Sequence, residues 1–221
     1  MARKRSRAEL FRRWLFLAAG LLIMALGVAC SIQADLGTSP VSSLPYVLSR
    51  ITPLSVGTTT ILVNSGLVLL QILILRRRYD PLQLLQLPVA VAFGYLTDLA
   101  LWAVDFLQPA AYWQQWLLCL AGILLVGVGV SFEVTAGVAT MAGEGVVLAI
   151  CQVAPVKFGA MKVGVDVSLV AAACVFSLLF LGQVAGVREG TVAAALLVGQ
   201  VARRMNRRLE PLDRRLLSGA C

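Results

Sequence analysis

The chain has 221 residues, of which 59% are hydrophobic, and its mean hydropathy of +0.87 lies far above that of a soluble globular domain. The formal net charge of +8 comes from basic clusters that border apolar runs, and the sequence contains no histidine. It also lacks a phosphate-binding loop, a kinase signature and the nucleophile motif of hydrolases. Together these features predict an integral membrane protein that is not an enzyme, binds no nucleic acid and uses neither a metal nor a cofactor.

Six apolar runs are predicted to cross the membrane as α-helices, since about 20 residues span the ~30 Å of hydrocarbon in a bilayer. The last run is short and reaches that length only when it is extended at both ends. The first run follows a basic segment, but it is too long for a signal-peptide core and no convincing cleavage site closes it, so we expect it to be retained. In chain order the runs are Trp14–Ala34, Val56–Leu75, Leu84–Val104, Trp116–Val134, Phe158–Leu181 and Thr191–Ala202.

A break interrupts the chain between the first and second runs. Asp35–Ser39 is followed by Pro40–Ile51, and Ser39 with Pro40 forms a helix-start signal in which the Ser39 hydroxyl accepts a hydrogen bond from a free amide. Pro53 marks the end of this short helix. Five extended residues reach about 16 Å, and the eleven helical residues Pro40–Arg50 return about the same distance. The segment is therefore predicted either to enter the bilayer to its midplane and return as a re-entrant helix, or to lie flat at the interface.

A second break has the same layout. It begins at Gly137, continues in the short helix Ala142–Ala154 and is closed by Pro155, and Thr140 is expected to take the capping role of Ser39. If both short helices are re-entrant, their positively polarised amino ends meet at the membrane midplane and form a substrate site.

The two breaks belong to an internal repeat with an offset of 102 residues. The offset sets Asn64 against Asp166, and three extra residues in a later loop then bring Gly94 onto Gly199. In a membrane protein, two repeats of this kind often enclose a binding site at their interface. The other matched pairs are Trp14 with Trp116, Gly20 with Gly122, Gly27 with Gly129, Ala34 with Ala136, Thr38 with Thr140, Pro53 with Pro155, Gly57 with Gly159 and Val63 with Val165.

The basic residues predict the orientation of the chain. They cluster in Arg3–Arg13, Arg76–Arg78 and Arg203–Arg215, which the positive-inside rule assigns to the cytoplasm, beside anionic lipid headgroups. Each repeat then crosses three times, and an odd number of crossings inverts the second copy. An eight-crossing arrangement, in which both short helices also span, would make the repeats parallel and place Arg76–Arg78 outside, so we rank it second. The predicted fold is all-α, divided into a basic segment 1–13, a first repeat 14–105, an outer loop 106–115, a second repeat 116–205 and a basic tail 206–221.

Several polar side chains fall inside the predicted spans and short helices. Lys162 and Asp166 lie four residues apart on one helix face, so they can pair. Glu144 and Asp166 are predicted to couple transport to a proton or cation, while a static Lys162–Asp166 bridge is an equally strong interpretation. Glu133 and Asp98 lie near helix ends, where solvation is expected. The predicted substrate-binding residues are Thr38, Ser39, Ser42, Ser43, Asn64, Thr140, Glu144, Lys162 and Asp166.

The run Ala34–Leu44, followed by Gly57 and Asn64, resembles the YczE/YyaS/YitT-like integral membrane proteins of bacteria, and Gly186–Thr191 with the following Gly199 adds to the likeness. The resemblance covers roughly residues 12–204. It implies a small protein of the bacterial inner membrane, often guessed to be a permease. It carries over no functional residues.

The leading hypothesis is a secondary transporter or channel-like permease for a small polar solute that could be anionic, with a site between the repeats at the membrane midplane. A membrane-embedded substrate-binding subunit of a larger uptake complex is the first alternative, and a scaffold without a solute is the second. A homo-oligomer is compatible with each.

Overall fold

The computed structural model describes residues 7–212 and is all-helical in that range, with eight α-helices and no β-strand. The outermost parts of both predicted basic ends, residues 1–6 and 213–221, lie outside the described residues. The helices are α1 (Arg7–Gln33), α2 (Pro40–Ile51), α3 (Val56–Leu75), α4 (Gln86–Val104), α5 (Tyr112–Ala136), α6 (Ala142–Val153), α7 (Phe158–Leu181) and α8 (Glu189–Leu212), and two short 3-10 helices, Arg76–Arg78 and Pro81–Leu85, precede α4.

Five helices of the described chain, namely α1, α3, α4, α5 and α7, are long and apolar enough to cross a membrane. Apolar side chains on their outer surfaces are widely exposed, as at Leu73 and Trp102, which suits contact with lipid. The sixth predicted span forms the first half of α8. That helix is not among the five, because basic residues occupy it from Arg203 onward and shorten its apolar stretch.

α1 and α5 form the central pair of the bundle and run antiparallel. Gly20 lies against Gly129, and Gly27 lies against Gly122. As the residue number increases along α1, the number of the α5 residue that it contacts therefore decreases. A Cβ atom at Gly27 would lie 2.7 Å from the carbonyl oxygen of Gly122, which is closer than real Cβ atoms approach. The helices therefore touch backbone to backbone, as small residues allow in membrane proteins.

The start of α1 is tied to the end of α5. The Arg13 guanidinium is buried and donates to the carbonyl oxygen of Ala136 at 3.0 Å and to that of Thr135 at 3.4 Å, and Glu9 pairs with Arg13 at 3.2 Å. Cationic groups stabilise the unbonded carbonyls at a helix carboxyl end. Arg13, which the sequence placed in a basic segment before the first span, is thus part of the helical bundle.

The other helices pack around this pair in a matched pattern. α4 packs on α1 and α8 packs on α5, while α2 packs on α7 and α6 packs on α3. Each short helix therefore lies against a long helix of the other half of the chain. α2 also contacts α3, and α6 contacts α7.

Both breaks lie where the sequence predicted them. α2 spans Pro40–Ile51 as expected, and α6 ends one residue earlier than expected, at Val153. The chain leaves α1 and α5 in the same way, since Asp35 and Gly137 have left-handed φ values of 52° and 56°. These two residues are matched by the 102-residue offset. Glycine adopts this conformation without strain, whereas Asp35 belongs to the small group of side chains that tolerate it.

The start of α3 is held by a carboxylate from α4. Asp98 accepts hydrogen bonds from the Gly57 amide and the Ser55 hydroxyl, both at 2.7 Å, and the Ser55 hydroxyl in turn accepts from the Thr58 amide at 3.0 Å. A negative charge at this position stabilises the amino end of a helix. Asp98 is partly exposed, as expected near a helix end, and its side chain also ties α4 to α3.

Candidate functional site

The segment before α2 is bound to the second half of the chain. The Thr38 amide donates to the carbonyl oxygen of Gly186 at 3.1 Å, and the Gly190 amide donates to that of Leu36 at 2.8 Å. Thr38 is only 2% exposed. Its hydroxyl oxygen is buried and has no hydrogen-bond partner among the described residues. Buried polar atoms are normally hydrogen-bonded, so this oxygen is an exception.

Three serines surround the amino end of α2. Ser39 is the residue before the helix, but its hydroxyl bonds to the Ser42 hydroxyl at 3.0 Å and makes no side-chain cap. The predicted capping bond is therefore wrong. Ser43 is buried and donates to the carbonyl oxygen of Pro40 at 2.8 Å. Hydroxyl groups thus cluster at this helix end, where the backbone amides carry partial positive charge.

The amino end of α6 is held by two other helices. Glu133 of α5 accepts a hydrogen bond from the amide of Met141, the residue before α6, at 2.6 Å. Gln71 of α3 donates to the carbonyl oxygen of Ala142 at 3.1 Å and to the Gln86 side chain at 3.0 Å. Glu133 is 3% exposed. The expectation that it is solvated is wrong, because it caps a helix inside the bundle.

Thr140 does not take the capping role predicted for it. Met141 is the residue before α6, and Thr140 lines a small pocket of about 200 Å³ with Gln83 and Gln86. The Met141 amide at the start of α6 is bound by Glu133 of α5 instead.

The amino ends of α2 and α6 meet. The two methyl groups of Val41 lie 3.6 and 3.7 Å from the point that a Cβ atom of Gly143 would occupy, an ordinary van der Waals distance. The 102-residue offset pairs these same two residues. α2 follows the end of α1, and α6 follows the end of the antiparallel α5. The short helices thus come from opposite ends of the bundle and begin against each other.

A cluster of four charged side chains lies beside the start of α6, and we call it the charged cluster: Glu133, Glu144, Lys162 and Asp166. Lys162 donates to Asp166 at 2.8 Å, and the two side chains are 28% and 21% exposed. The predicted pairing is thus confirmed. Glu144 interacts electrostatically with Lys162 and Asp166, and Glu133 interacts with Glu144 and Lys162. Three carboxylates therefore accompany one ammonium group.

The charged cluster is not arranged as a metal site. Within residues 7–212, no three histidine, cysteine, aspartate or glutamate side chains are placed to hold a metal ion. The carboxylates serve separate partners instead, since Glu133 binds a backbone amide and Asp166 binds Lys162.

Asn64 is on α3 and is 3% exposed. Its side-chain nitrogen donates to the carbonyl oxygen of Thr60 at 2.8 Å, and its side-chain oxygen has no partner in the described chain. The hydrogen bond of Asn64 thus stays within its own helix and does not reach its sequence mate Asp166. The predicted residues thus fall into two groups, the hydroxyls at α2 and the charges at α6, with Asn64 and Thr140 outside both.

A cleft of about 590 Å³ opens at the end of α1, away from the residues predicted from sequence. Its walls come from α1, α2, α3 and α4 and from the residues that follow α1 and α4, and they carry charged and aromatic groups. They include Asp35, Tyr46, Arg50, Trp102 and Asp105. Arg188 approaches its edge and donates to the carbonyl oxygen of Asp35 at 2.8 Å.

The fold and the site define a polytopic α-helical membrane protein. The chain belongs to DUF6198, a family of unknown function, whose model matches residues 11–207. It is 28% identical over 200 residues to the uncharacterized membrane protein YczE of Bacillus subtilis (strain 168), which covers 88% of this chain and 86% of YczE. It is 31% identical over 118 residues to the uncharacterized protein YyaS of the same strain, covering 53% of this chain and 57% of YyaS.

A third relative, an uncharacterized protein of Haemophilus influenzae, is 26% identical over 181 residues, covering 82% of this chain and 77% of that protein. No solved structure matches the chain. These relatives confirm the resemblance that the Ala34–Leu44 run indicated.

Proposed function

We propose that the protein is a secondary transporter or channel-like permease for a small polar solute. The observation that carries the proposal is the contact between Val41 and Gly143. Two short helices that follow opposite ends of the bundle can begin against each other only in its interior. Helix ends at membrane depth must be buried in protein or line a watery cavity, and broken helices of this kind form the binding sites of many transporters.

The proposal includes two inverted repeats of three spans, with α8 as the sixth span. It is supported by the antiparallel packing of α1 and α5, because an odd number of spans in each repeat reverses the second copy. The crosswise contacts Gly20–Gly129 and Gly27–Gly122 exchange partners under the 102-residue offset, as contacts about a two-fold axis do. Eight spans would make α1 and α5 parallel, so their antiparallel packing argues against the eight-span arrangement.

The proposed orientation places both chain ends and Arg76–Arg78 in the cytoplasm of a bacterial cell, against anionic lipid headgroups. It rests on the distribution of arginine and lysine. The short helix α2 then enters from the outer face and α6 from the cytoplasmic face.

Two different chemistries would face the solute in this arrangement. The start of α2 offers the unpartnered Thr38 hydroxyl and a positively polarised helix end, which suit an anionic or hydrogen-bonding group. The start of α6 offers Glu144 within the charged cluster. Because carboxylates outnumber the ammonium group there, this end suits a proton or a cation, and we assign Glu144 and Asp166 the coupling role.

The test is a current measurement on proteoliposomes adsorbed to a solid-supported membrane. A panel of amino acids, monocarboxylates, dicarboxylates and inorganic phosphate is applied to the wild type. We expect at least one compound to evoke a transient current that disappears in Glu144→Gln and Asp166→Asn. The control is Glu189→Gln, which neutralises an exposed carboxylate at the start of α8 and should retain the current. Folded wild-type protein that responds to no member of the panel, or variants that respond like the wild type, would contradict the proposal.

A further inference from the structure

The two halves of the chain differ at one helix pair. In the first half, α3 and α4 pack closely through Gly57 and Gly94, and a Cβ atom at Gly94 would lie 2.6 Å from the carbonyl oxygen of Gly57. The matching residues of the second half are Gly159 on α7 and Gly199 on α8. In the described chain, no neighbouring atom lies within 4 Å of a Cβ position at either of them.

The surrounding structure agrees with this difference. α3 packs extensively on α4, whereas α7 and α8 have almost no contact. α7 is also the least buried of the five candidate spans. In its most apolar stretch 17% of the residues are buried, against 33% to 56% in the other four. A surface that is occupied in one repeat is thus open in its mate.

We propose that the chain has a second conformation in which α7 and α8 pack together through Gly159 and Gly199 while α3 and α4 separate. The proposal rests on the inverted repeats of the proposed function. The two repeats are copies of one unit, so the packing that one repeat has is also open to the other. The two repeats can therefore exchange their packings. Gly57 begins α3 and Gly159 begins α7, and in inverted repeats these ends lie on opposite faces of the membrane. The exchange therefore opens one face as it closes the other.

The charges at the two helix pairs favour the present packing over the proposed one. The contact of α3 with α4 is reinforced by Ser55 and Asp98, whose groups bond at 2.7 Å. The matching positions of the second half hold Lys157 and Arg203, and like charges brought together oppose packing. Salt screens exposed charges, so raising the ionic strength shifts the population toward the packed α7–α8 state.

The experiment is disulfide formation in membranes, in a variant whose five native cysteines are replaced by alanine or serine. Gly159→Cys with Gly199→Cys is expected to form a disulfide on mild oxidation, detected by gel mobility and mass spectrometry. Gly164→Cys with Gly199→Cys is the matched control, since Gly164 is also open but lies on another face of α7. Crosslinking of neither pair, or of both equally, would overturn the inference.

A second measurement couples the two halves. Gly57→Ala leaves no room for the α3–α4 contact and therefore destabilises the present packing, as overpacking does. The population of the packed α7–α8 state then rises, so the rate of Gly159–Gly199 crosslinking should increase about tenfold. Gly66→Ala, at an open position on the same helix, should leave the rate unchanged, and an equal effect of both would overturn the coupling. Crosslinking needs no solute, so a disulfide without any transport current would contradict the permease and leave the second conformation standing. A current without a disulfide would contradict the second conformation and leave the permease standing.

Discussion

Gly27 lies directly against Gly122, and a Cβ atom at either residue would lie 2.7 Å from the carbonyl oxygen of the other. Gly20 and Gly129 make the equivalent contact further along the same two helices. Since the 102-residue offset matches Gly20 with Gly122 and Gly27 with Gly129, the internal repeat of the sequence reappears as crosswise contacts between helices α1 and α5.

The first prediction concerns this helix pair. Gly27→Ala should lower the free energy of unfolding by about 1–3 kcal/mol, the ordinary cost of overpacking, because the nearest atoms to the added methyl group are backbone atoms of α5 that cannot move aside. Thermal unfolding of the detergent-solubilised protein measures the effect. Gly66→Ala is the control, since open space surrounds Gly66 and alanine favours helix over glycine. Equal behaviour of the two variants would mean that α1 and α5 do not touch in this way.

The second prediction concerns the capping bond at α6. Glu133→Ala removes the oxygen that accepts from the Met141 amide and should destabilise the protein by about 1–2 kcal/mol, as loss of a helix cap does. Glu133→Gln keeps an oxygen at the same place and should cost much less. Melting temperatures of the two variants in the same detergent measure the difference. If glutamine is as harmful as alanine, the charge matters rather than the cap.

The third prediction separates a hydrated site from a static bridge at Lys162 and Asp166. Both side chains are partly exposed, and a hydrated pair four residues apart on a helix is worth about 0.5 kcal/mol. We therefore expect a small coupling energy in a double-mutant cycle of Lys162→Met and Asp166→Asn. A buried charge left alone in hydrocarbon costs about 3 kcal/mol. Coupling of that size would identify the pair as a structural bridge and remove it from the proposed site.

The fourth prediction concerns orientation. A single cysteine at Gln108, which is exposed between α4 and α5, should react with a membrane-impermeant maleimide applied to intact cells. A single cysteine at Arg77 should react only after the cells are permeabilised, because the positive-inside rule places it in the cytoplasm. Labelling is read on gels of the purified protein. The eight-crossing arrangement gives the reverse pattern at both positions.

The helices and both breaks could be predicted because they depend on local chemistry. Apolar runs set the long helices, and proline residues set both limits of α2 and the end of α6. The Lys162–Asp166 pair was predictable because spacing along one helix determines it.

The contacts that hold the starts of α3 and α6 in place could not be predicted in this way. The bonds of Glu133 to Met141 and of Asp98 to Gly57 join separate helices, or a helix to a following loop, so neither follows from helical spacing. One signal was available for Glu133. An acidic residue at the end of a span is costly unless it has a partner, and the unbonded amides of the adjacent short helix offered one.

In the proposed structure, α2 and α6 enter from opposite faces and meet inside the membrane. The most direct test of this arrangement is a disulfide between Val41→Cys and Gly143→Cys in a variant without the native cysteines. The Val41 methyl groups lie 3.6 and 3.7 Å from the Cβ position of Gly143, which brings two cysteines within reach of a disulfide. We predict rapid and nearly complete crosslinking on mild oxidation of native membranes. Short helices that lie flat on opposite surfaces would hold the two cysteines about 30 Å apart, the thickness of the hydrocarbon. Two free thiols after oxidation, each open to labelling from its own side, would contradict the account.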